Sequence, residues 1–329
     1  MTTLRAGLLG IGMMGRNHAR VLRSLDGVEL VGVVDPGGDL YQAASDVPLF
    51  AHLEQLVSLG IDYAVVSIPT AHHLDAGVAL ARAGVHCLIE KPVADSAESA
   101  QSLVGAFESA GLVGAVGHIE RYNPALQHAR ARLANGELGE VYQIVTRRQG
   151  PFPGRISDVG VVKDLGTHDV DLTAWVTQRD YRSVSAHVAH RSGRDHEDLV
   201  AVVGELEGGI VTNHLVNWLS PLKERITVIT GERGTLVADT LTADLTLYEN
   251  GTVVSEWSAL ASFRGVTEGN MVRFAISKPE PLRTEHEAFR DAVLGRPADI
   301  VTLEQGLRTV RVAEAVLESA RTGNSVAID

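Results

Sequence analysis

The first third of the chain alternates short apolar runs with amphipathic stretches, and this rhythm restricts the fold more than any other feature of the sequence. Apolar runs of this length are typical of buried parallel strands, and the stretches between them are typical of helices that connect one strand to the next. We therefore predict strands over residues 4–9, 28–34, 63–68, 86–89 and 112–116, with helices over 15–24, 53–57, 73–83 and 97–110. The pattern indicates a doubly wound parallel sheet.

From about residue 122 the pattern changes, because several strand-like segments follow one another without helices between them. Consecutive strands of this kind usually form an antiparallel sheet. The predicted elements are helices at 124–134, 163–176, 282–294 and 303–321 and strands at 141–148, 184–190, 199–206, 210–218, 225–230, 234–239 and 245–249. Because 329 residues exceed what one core usually fills, we predict two domains, 1–121 and 122–329, the second with α+β architecture and a mostly antiparallel sheet.

The net charge and the cysteine content limit which partners and which cellular compartment we expect for the protein. A net charge of −12 argues against nucleic acid or an anionic membrane surface as a partner, since both require a basic face. The single cysteine, Cys87, cannot form an internal disulfide, which predicts a reducing cytoplasm. No apolar run approaches the roughly 20 residues of a membrane helix.

A glycine-rich turn follows the first predicted strand and opens the first predicted helix. It has the spacing G-x-G-x-x-G of a dinucleotide-binding turn, and Asp35 ends the next strand where a ribose-binding carboxylate is expected. Because a carboxylate accepts from a ribose diol and repels a 2′-phosphate, NAD is favoured, with NADP as the alternative. We predict that residues 1–121 form a Rossmann domain and that the turn binds the cofactor through Gly10, Ile11, Gly12, Met13, Met14 and Gly15.

Charged residues close the strand at 86–89, where Glu90, Lys91 and Pro92 follow one another. Ligands of open parallel sheets bind at the carboxyl ends of the strands, so a lysine held there is a candidate to carry a proton. Glu90 and Lys91 are therefore predicted to lie beside the cofactor.

The end of the preceding strand carries a second polar group, Ile68-Pro69-Thr70. Thr70 either contacts the cofactor or caps the following helix. His73 lies one helical turn further on, on the same side as Thr70, and is predicted to contact the cofactor as well. A metal site at His72 and His73 is not expected, because adjacent helical residues diverge.

The densest polar cluster of the second half spans residues 164–169. If this stretch is an α-helix, Asp164 and His168 lie four residues apart on one face, so the carboxylate can orient the imidazole for proton transfer. The alternative is a surface helix whose charges are solvated. Asp169 and Asp171 are interpreted as structural caps or ion-pair partners.

Basic residues flank this cluster in a chain that is otherwise acidic, and guanidinium groups match phosphate or carboxylate geometry. Arg155 and Lys163 are candidates for binding an anionic substrate. Arg147 and Arg148 are adjacent on a strand and so point to opposite faces, and surface salt bridges are the alternative for both. No spacing distinguishes the remaining histidines, which include His18, His52, His128, His187, His190, His196, His214 and His286.

Taken together, these motifs resemble the Gfo/Idh/MocA oxidoreductases, the family of glucose–fructose oxidoreductase, inositol dehydrogenase and a rhizopine-catabolism protein. The resemblance runs along the chain through Gly10–Gly15, Asp35, Pro69-Thr70 with His73, Glu90-Lys91-Pro92 and the pair Asp164 and His168. It implies a carboxy-terminal domain with an open sheet that builds homodimers or homotetramers. It also implies hydride transfer between nicotinamide and a secondary hydroxyl of a sugar or cyclitol.

The resemblance places the catalytic lysine of the family on Lys91, its helix carboxylate on Asp164 and its histidine on His168. The chain departs from the family at Thr70, where asparagine is common, and at residues 119–122. Residues 117–124 together with 150–162 are similar to a subgroup that includes UDP-N-acetylglucosamine 3-dehydrogenases. A sugar or sugar-nucleotide substrate is therefore expected, bound by Arg121, Tyr122, Arg155, Lys163 and His168.

His168 is the first candidate for the base that accepts the hydroxyl proton, and Lys91 is the close competitor. Two alternative functions stay open: a myo-inositol or free-sugar dehydrogenase, and a redox-inert regulator that binds a nucleotide or sugar. No metal is expected.

Overall fold

The computed structural model describes residues 3–154, 159–251 and 267–328. Backbone contacts divide the chain into two compact units, the first comprising residues 1–119 and 279–311 and the second residues 120–278 and 312–329. The chain first passes from one unit to the other between residues 119 and 120, close to the predicted boundary between residues 121 and 122. The division differs from the prediction in assigning 279–311 to the first unit.

The first unit contains a six-stranded sheet in which all neighbouring strands are parallel, in the order β3-β2-β1-β4-β5-β6. Its strands are β1 Leu4–Leu9, β2 Val28–Val34, β3 Leu49–Phe50, β4 Tyr63–Val66, β5 His86–Glu90 and β6 Gly114–Gly117. The strand order reverses beside β1, which is the arrangement of a Rossmann fold and confirms the predicted doubly wound sheet. The predicted strand at 63–68 ends earlier, at Val66, and the one at 112–116 begins later, at Gly114.

Four helices connect these strands: α1 Gly15–Ser24, α2 Leu53–Val57, α3 His73–Arg82 and α4 Ala97–Ala110. The strands are apolar over most of their length because the sheet packs against helices on both faces, with Ala6, Leu8 and Val65 fully buried. The α4 helix begins as its sequence predicts, since the Ser96 hydroxyl accepts from the Ser99 N–H, and it ends at Gly111 with φ +64°.

The late helix α7, Pro281–Val293, belongs to this first unit. Its Phe289 is 1% exposed and packs edge-on against Tyr63 of β4, in the same cluster as Leu8 and Leu22. The amphipathic pattern of this segment predicts that one face of the helix is buried, but it does not indicate which of the two cores that face packs against. The predicted domain division therefore assigned the segment to the wrong unit.

The second unit contains a nine-stranded sheet in the order β14-β13-β12-β11-β7-β10-β9-β8-β15. In the described part of the chain, β7 pairs with β10 in parallel and the other neighbours are antiparallel. The strands are β7 Val141–Pro151, β8 Tyr181–Ala189, β9 Leu199–Leu206, β10 Val211–Asn217, β11 Leu219–Gly231, β12 Gly234–Asp239, β13 Asp244–Gly251, β14 Thr267–Arg273 and β15 Val326–Ala327. The mostly antiparallel sheet is thus confirmed, although β14 and β15 were not predicted.

Side chains alternate between the two faces of this sheet. Along β9, Val200 and Val202 are buried in the core cluster to which α5 (Pro124–Ala134), α6 (Thr167–Thr177) and α8 (Leu303–Thr322) also contribute, whereas Val203 is 50% exposed. One face therefore supplies the core, and the other leaves apolar side chains in contact with solvent. Among the described residues, no helix is both long and apolar enough to cross a membrane.

Candidate active site

The turn between β1 and α1 requires glycine at two positions. Gly10 has φ +84°, and a Cβ added there would lie 2.4 Å from the Ser67 carbonyl oxygen. A Cβ at Gly15 would lie 2.0 Å from the Gly10 carbonyl oxygen, so the helix starts directly against the turn. At Gly12, in contrast, a Cβ would meet no atom within 4 Å. The middle glycine therefore leaves open space before the amino end of α1, where the backbone favours a phosphate.

The carboxylate of Asp35, directly after β2, is fixed beside this turn. Its Oδ2 accepts from the Ile11 N–H at 2.9 Å, and its Oδ1 accepts from the Gly37 N–H at 2.9 Å. Each carboxylate oxygen retains a further lone pair with which to accept from a ribose hydroxyl. The open space at Gly12 and this charge fit a dinucleotide without a 2′-phosphate, which is NAD. When bound, NAD supplies the hydride acceptor.

His73 has a structural role that its sequence position did not reveal. The side chain is 1% exposed, with Nδ1 3.0 Å from the Pro92 carbonyl oxygen and Nε2 2.9 Å from the Ile68 carbonyl oxygen. Burial lowers the pKa of His73 below its ordinary value, and a neutral ring donates to one carbonyl at a time. His73 therefore ties the segment after β4 to the segment after β5.

Thr70 begins a single 3-10 turn, Thr70–His72, and α3 starts after it with His72 at the cap position. The alternative that Thr70 caps this helix is therefore wrong, because the 3-10 turn moves the cap position by two residues, from Thr70 to His72. Contacts of Ile68, Pro69, Thr70 and His73 with the cofactor remain predictions.

Glu90 and Lys91 lie at the carboxyl end of β5, as predicted. The Glu90 Oε2 accepts from the Lys91 backbone N–H at 3.1 Å, and its Oε1 lies 2.8 Å from the His18 Nε2. Burial alone would raise the pKa of Glu90, but the hydrogen bond with His18 and the charge of Lys91 outweigh it, so the pKa lies below its ordinary value. The lysine is thus accompanied by an ionised carboxylate. The peptide bond between Lys91 and Pro92 is cis.

In the second unit, Asp164 and His168 lie on a helical segment that is not α-helical throughout. Val162–Gly166 forms a π-helical turn, in which the Thr167 N–H bonds to the Val162 carbonyl, and α6 continues from Thr167. The assumption of a regular α-helix is therefore wrong over the first turn. Asp164 is 7% exposed and His168 8%, which contradicts the alternative of a solvated surface helix. Isolated π-turns are frequent at functional sites, and the wider turn changes the alignment of the two side chains.

Buried ion pairs fix the position of α6. The Arg148 Nε donates to both oxygens of Asp169, at 3.0 and 3.1 Å, and its Nη1 donates to Glu120 at 2.8 Å. The two acidic partners outweigh the effect of burial and raise the pKa of Arg148 above its ordinary value. A second fork joins Arg121 to Asp171, with distances of 2.8 and 2.6 Å. The interpretation of Asp169 and Asp171 as structural partners is confirmed.

The predicted substrate-binding residues have different surroundings. Arg121 is 7% exposed and Tyr122 6%, and the bidentate pair with Asp171 gives Arg121 a structural partner. Lys163 lies half-buried on the π-helical turn. Arg155 lies outside the described residues. Arg147 pairs with Glu224 at the surface while Arg148 is buried, as opposite faces of a strand require.

Comparison with known proteins identifies the family. A profile described as "Oxidoreductase family, NAD-binding Rossmann fold" matches residues 4–118, and one described as "GFO/IDH/MocA C-terminal domain" matches residues 126–237. The chain belongs to the Gfo/Idh/MocA oxidoreductase family. It is therefore an NAD-dependent dehydrogenase, as the resemblance implied, and the cofactor predicted from the glycine turn and Asp35 is confirmed.

Two curated relatives illustrate the range of this family. The chain is 32% identical to the UDP-N-acetylglucosamine 3-dehydrogenase of Acidithiobacillus ferrooxidans over 216 residues, which are 65% of this chain and 66% of the relative, a little under two thirds of its length. It is 26% identical to inositol 2-dehydrogenase 2 of Saccharopolyspora erythraea over 343 aligned residues, covering 99% and 96% of the two chains.

Solved structures agree with this assignment along the whole chain. The structure of the Acidithiobacillus ferrooxidans UDP-N-acetylglucosamine 3-dehydrogenase matches with a TM-score of 0.84 and 27% identity, covering 97% of this chain and 98% of that one. GenD2 from gentamicin A biosynthesis, in complex with NAD, matches with a TM-score of 0.83 and 25% identity, covering 100% and 97%.

Within each unit, sequence reasoning missed residues that contact or support the predicted site residues. His18 contacts Glu90 although 72 residues separate them, and Arg148 and Glu120 support the helix that carries His168. A histidine four residues into the helix after a glycine turn is a weak signal on its own. Among the described residues, no cluster of acidic, histidine and cysteine side chains could hold a metal ion.

Proposed function

We propose that this dehydrogenase transfers a hydride between nicotinamide and a secondary hydroxyl of a sugar, with proton transfer by His168, Lys91 and Asp164. The observation that carries the proposal is the position of Lys91, at the carboxyl end of a strand in the NAD-binding unit with the ionised Glu90 beside it. In this scheme His168 accepts the hydroxyl proton, and Lys91 polarises the forming carbonyl oxygen or serves as the base itself. Asp164 orients His168.

We further propose C3 of a UDP-N-acetyl-hexosamine as the position oxidised. The support is the similarity to a UDP-N-acetylglucosamine 3-dehydrogenase in sequence and over the full length in structure. A diphosphate needs local positive charge in a chain of net charge −12, and Lys163 on the π-helical turn is our candidate to supply it. The second candidate, an inositol dehydrogenase, is favoured by the relative that aligns with nearly the whole chain.

The absorbance of reduced cofactor, measured with a matched set of substrates, tests this choice. We expect NAD reduction with UDP-N-acetylglucosamine and a kcat/KM at least tenfold lower with free N-acetylglucosamine, because the diphosphate contributes binding energy only in the first. Reduction with myo-inositol alone would contradict the sugar-nucleotide proposal and leave the dehydrogenase assignment intact. Binding of NAD without turnover on any sugar, nucleotide sugar or cyclitol would support a redox-inert regulator.

We also propose that the chain forms a homodimer or homotetramer through the exposed face of the nine-stranded sheet. On this face Val203 is 50% exposed and Val211, on the neighbouring strand, is 45% exposed. Val145, Leu215 and Val228 lie on the same face and are only partly buried. Several apolar side chains exposed on one face of a sheet are typical of a protein interface.

Analytical ultracentrifugation tests the oligomer. The wild-type chain is expected to sediment at two or four times 35.1 kDa, and Val203→Asp is expected to shift the mass towards a single chain, because it places a charge in the interface. Leu40→Asp, which changes a leucine that is 85% exposed in the first unit, is the matched control and is expected to leave the mass unchanged. A wild-type monomer would contradict the proposal.

A cytoplasmic location is proposed on the cysteine content. Cys87 is the one cysteine of the sequence, and its thiol is free and buried in β5. A chain with a single cysteine cannot form an internal disulfide, so an oxidising compartment would not stabilise it in this way.

A further inference from the structure

Four ionisable side chains cluster at the carboxyl end of strand β5 in the first unit, and they belong to His18, Glu90, Glu285 and His286. The Nε2 of His18, in α1, lies 2.8 Å from the Glu90 Oε1, and its Nδ1 lies 2.8 Å from the Nε2 of His286, in α7. Glu285 precedes His286. His18 is 0% exposed, and Glu285 and His286 are each 1% exposed. Neither the proposed reaction nor the glycine turn accounts for so many buried titratable groups in one place.

The hydrogen bonds restrict the tautomers of the two histidines. Within the described structure, the Nδ1 of His286 is buried without a hydrogen-bond partner. A buried N–H without a partner is rarer and more costly than an unused lone pair, so the proton of His286 belongs on Nε2. His286 then donates to the Nδ1 of His18, and His18 donates its Nε2 proton to Glu90. Burial lowers the pKa of His286 well below its ordinary value, in agreement with a neutral ring.

Glu285 differs from Glu90 although both are acidic. Both of its oxygens are buried and lack hydrogen-bond partners in the described part of the chain. Burial, with the charge of Glu90 adding to it, raises the pKa of Glu285 well above its ordinary value. Glu285 is therefore a neutral acid while Glu90 is ionised.

We propose that His18 is a positioning residue for catalysis, which, supported by His286, keeps the Glu90 carboxylate ionised and turned onto the Lys91 backbone. The proposal rests on the proposed role of Lys91. A buried carboxylate loses the hydration that stabilises its charge, so a donor must replace the water. His18 supplies this donor from a helix that also carries the cofactor turn, so the charge next to Lys91 depends on the same element that receives NAD.

The direction of the pH effect follows from the groups around Glu90. These are His18 from α1, His73 from α3, Lys91 from β5 and Glu285 and His286 from α7. Of these, His18 opposes the burial of Glu90 through a direct hydrogen bond. Without this hydrogen bond, less opposes the effect of burial, so the pKa of Glu90 rises. In an acid titration, Glu90 then becomes protonated at a higher pH than in the wild-type chain. Activity that needs the ionised form is then lost at a higher pH.

Two substitutions at His18 separate this role from a purely structural one. His18→Leu removes the donor, whereas His18→Gln keeps an N–H at nearly the same place. We expect the acidic side of the kcat profile of the leucine variant to lie about one to two pH units above that of the glutamine variant, as the loss of a charged hydrogen bond implies. NAD affinity should be the same in both. Equal profiles and equal rates at pH 7 would overturn the proposal.

Further variants keep the proposal testable if His18→Leu does not fold. His286→Leu removes only the support behind His18 and is expected to move the profile in the same direction by less. The control is His86→Gln at the opposite end of β5, where the ring accepts from the Val113 N–H at 2.8 Å; it should lower stability without moving the profile. An unchanged profile in a folded His286→Leu variant would also overturn the proposal.

Lys91→Ala distinguishes the two levels of the argument. If Lys91→Ala keeps near-normal turnover, the proposed function fails whatever the His18 variants do. If Lys91→Ala is inactive while the His18 variants keep the wild-type profile, only the positioning role fails.

Discussion

Replacing Lys91 with alanine is expected to lower kcat by roughly 100- to 10,000-fold, the range for the loss of a general acid or base. The lysine lies at the carboxyl end of β5, where ligands of parallel sheets bind, and its backbone N–H is bonded to the Glu90 carboxylate. NAD binding is expected to change little, because the glycine turn and Asp35 are untouched. Stopped-flow measurement of hydride transfer gives the change in rate. Titration with NAD, followed by the quenching of protein fluorescence, gives the change in NAD affinity.

Lys223→Met is the control for the removal of a lysine. Lys223 is exposed on β11 in the second unit, so its loss is expected to leave kcat within a factor of two. A primary alkylamine added to Lys91→Ala is expected to restore part of the rate, because it supplies the missing amine. Near-normal kcat in Lys91→Ala on a true substrate would contradict the catalytic role.

Replacing Arg148 with leucine is expected to lower the free energy of unfolding of the second unit by about 3–5 kcal/mol, the cost of leaving buried charges without their partner. The guanidinium of Arg148 bonds to Asp169 and Glu120 and is only 3% exposed, so both carboxylates would lose a buried donor. Urea unfolding followed by the fluorescence of Trp175 and Trp218, both buried in this unit, measures the change.

The neighbouring arginine provides a matched control. Arg147 is 52% exposed and pairs with Glu224 at the surface, so Arg147→Leu is expected to cost less than about 1 kcal/mol. Arg148→Lys keeps the charge but loses the planar fork and should fall between the two. Equal losses for Arg147→Leu and Arg148→Leu would show that the buried network contributes no more than a surface pair.

The parallel sheet was predictable because its strands are buried on both faces. Mostly apolar runs such as Leu4–Leu9 and Val28–Val34 leave little choice of element, and their bounds agree with the prediction. Strand β14 was not predicted, because Thr267–Arg273 has several polar residues and no clear alternation. The two-residue strands β3 and β15 are too short for any period to be detected.

The site was predictable where backbone position alone decides it. The end of a strand places Lys91, and the parity of a strand separates Arg147 from Arg148. The sequence could not reveal the π-helical turn at Val162–Gly166, because apolar spacing is similar for both kinds of helix over one turn. Nor could it reveal that His18 and His286 meet across 268 residues of chain, since a contact of that separation leaves no local pattern.

The contribution of α7 to the first unit has a consequence for synthesis on the ribosome. Phe289 fills part of the core beneath β4, and His286 lies behind the strand that carries Lys91, yet both are translated after most of the second unit. An amino-terminal fragment ending near residue 119 would emerge with all six strands of its sheet and an uncovered apolar surface. The nascent chain therefore has to carry this unfinished half through the synthesis of some 160 intervening residues, a period in which holding chaperones have an exposed target.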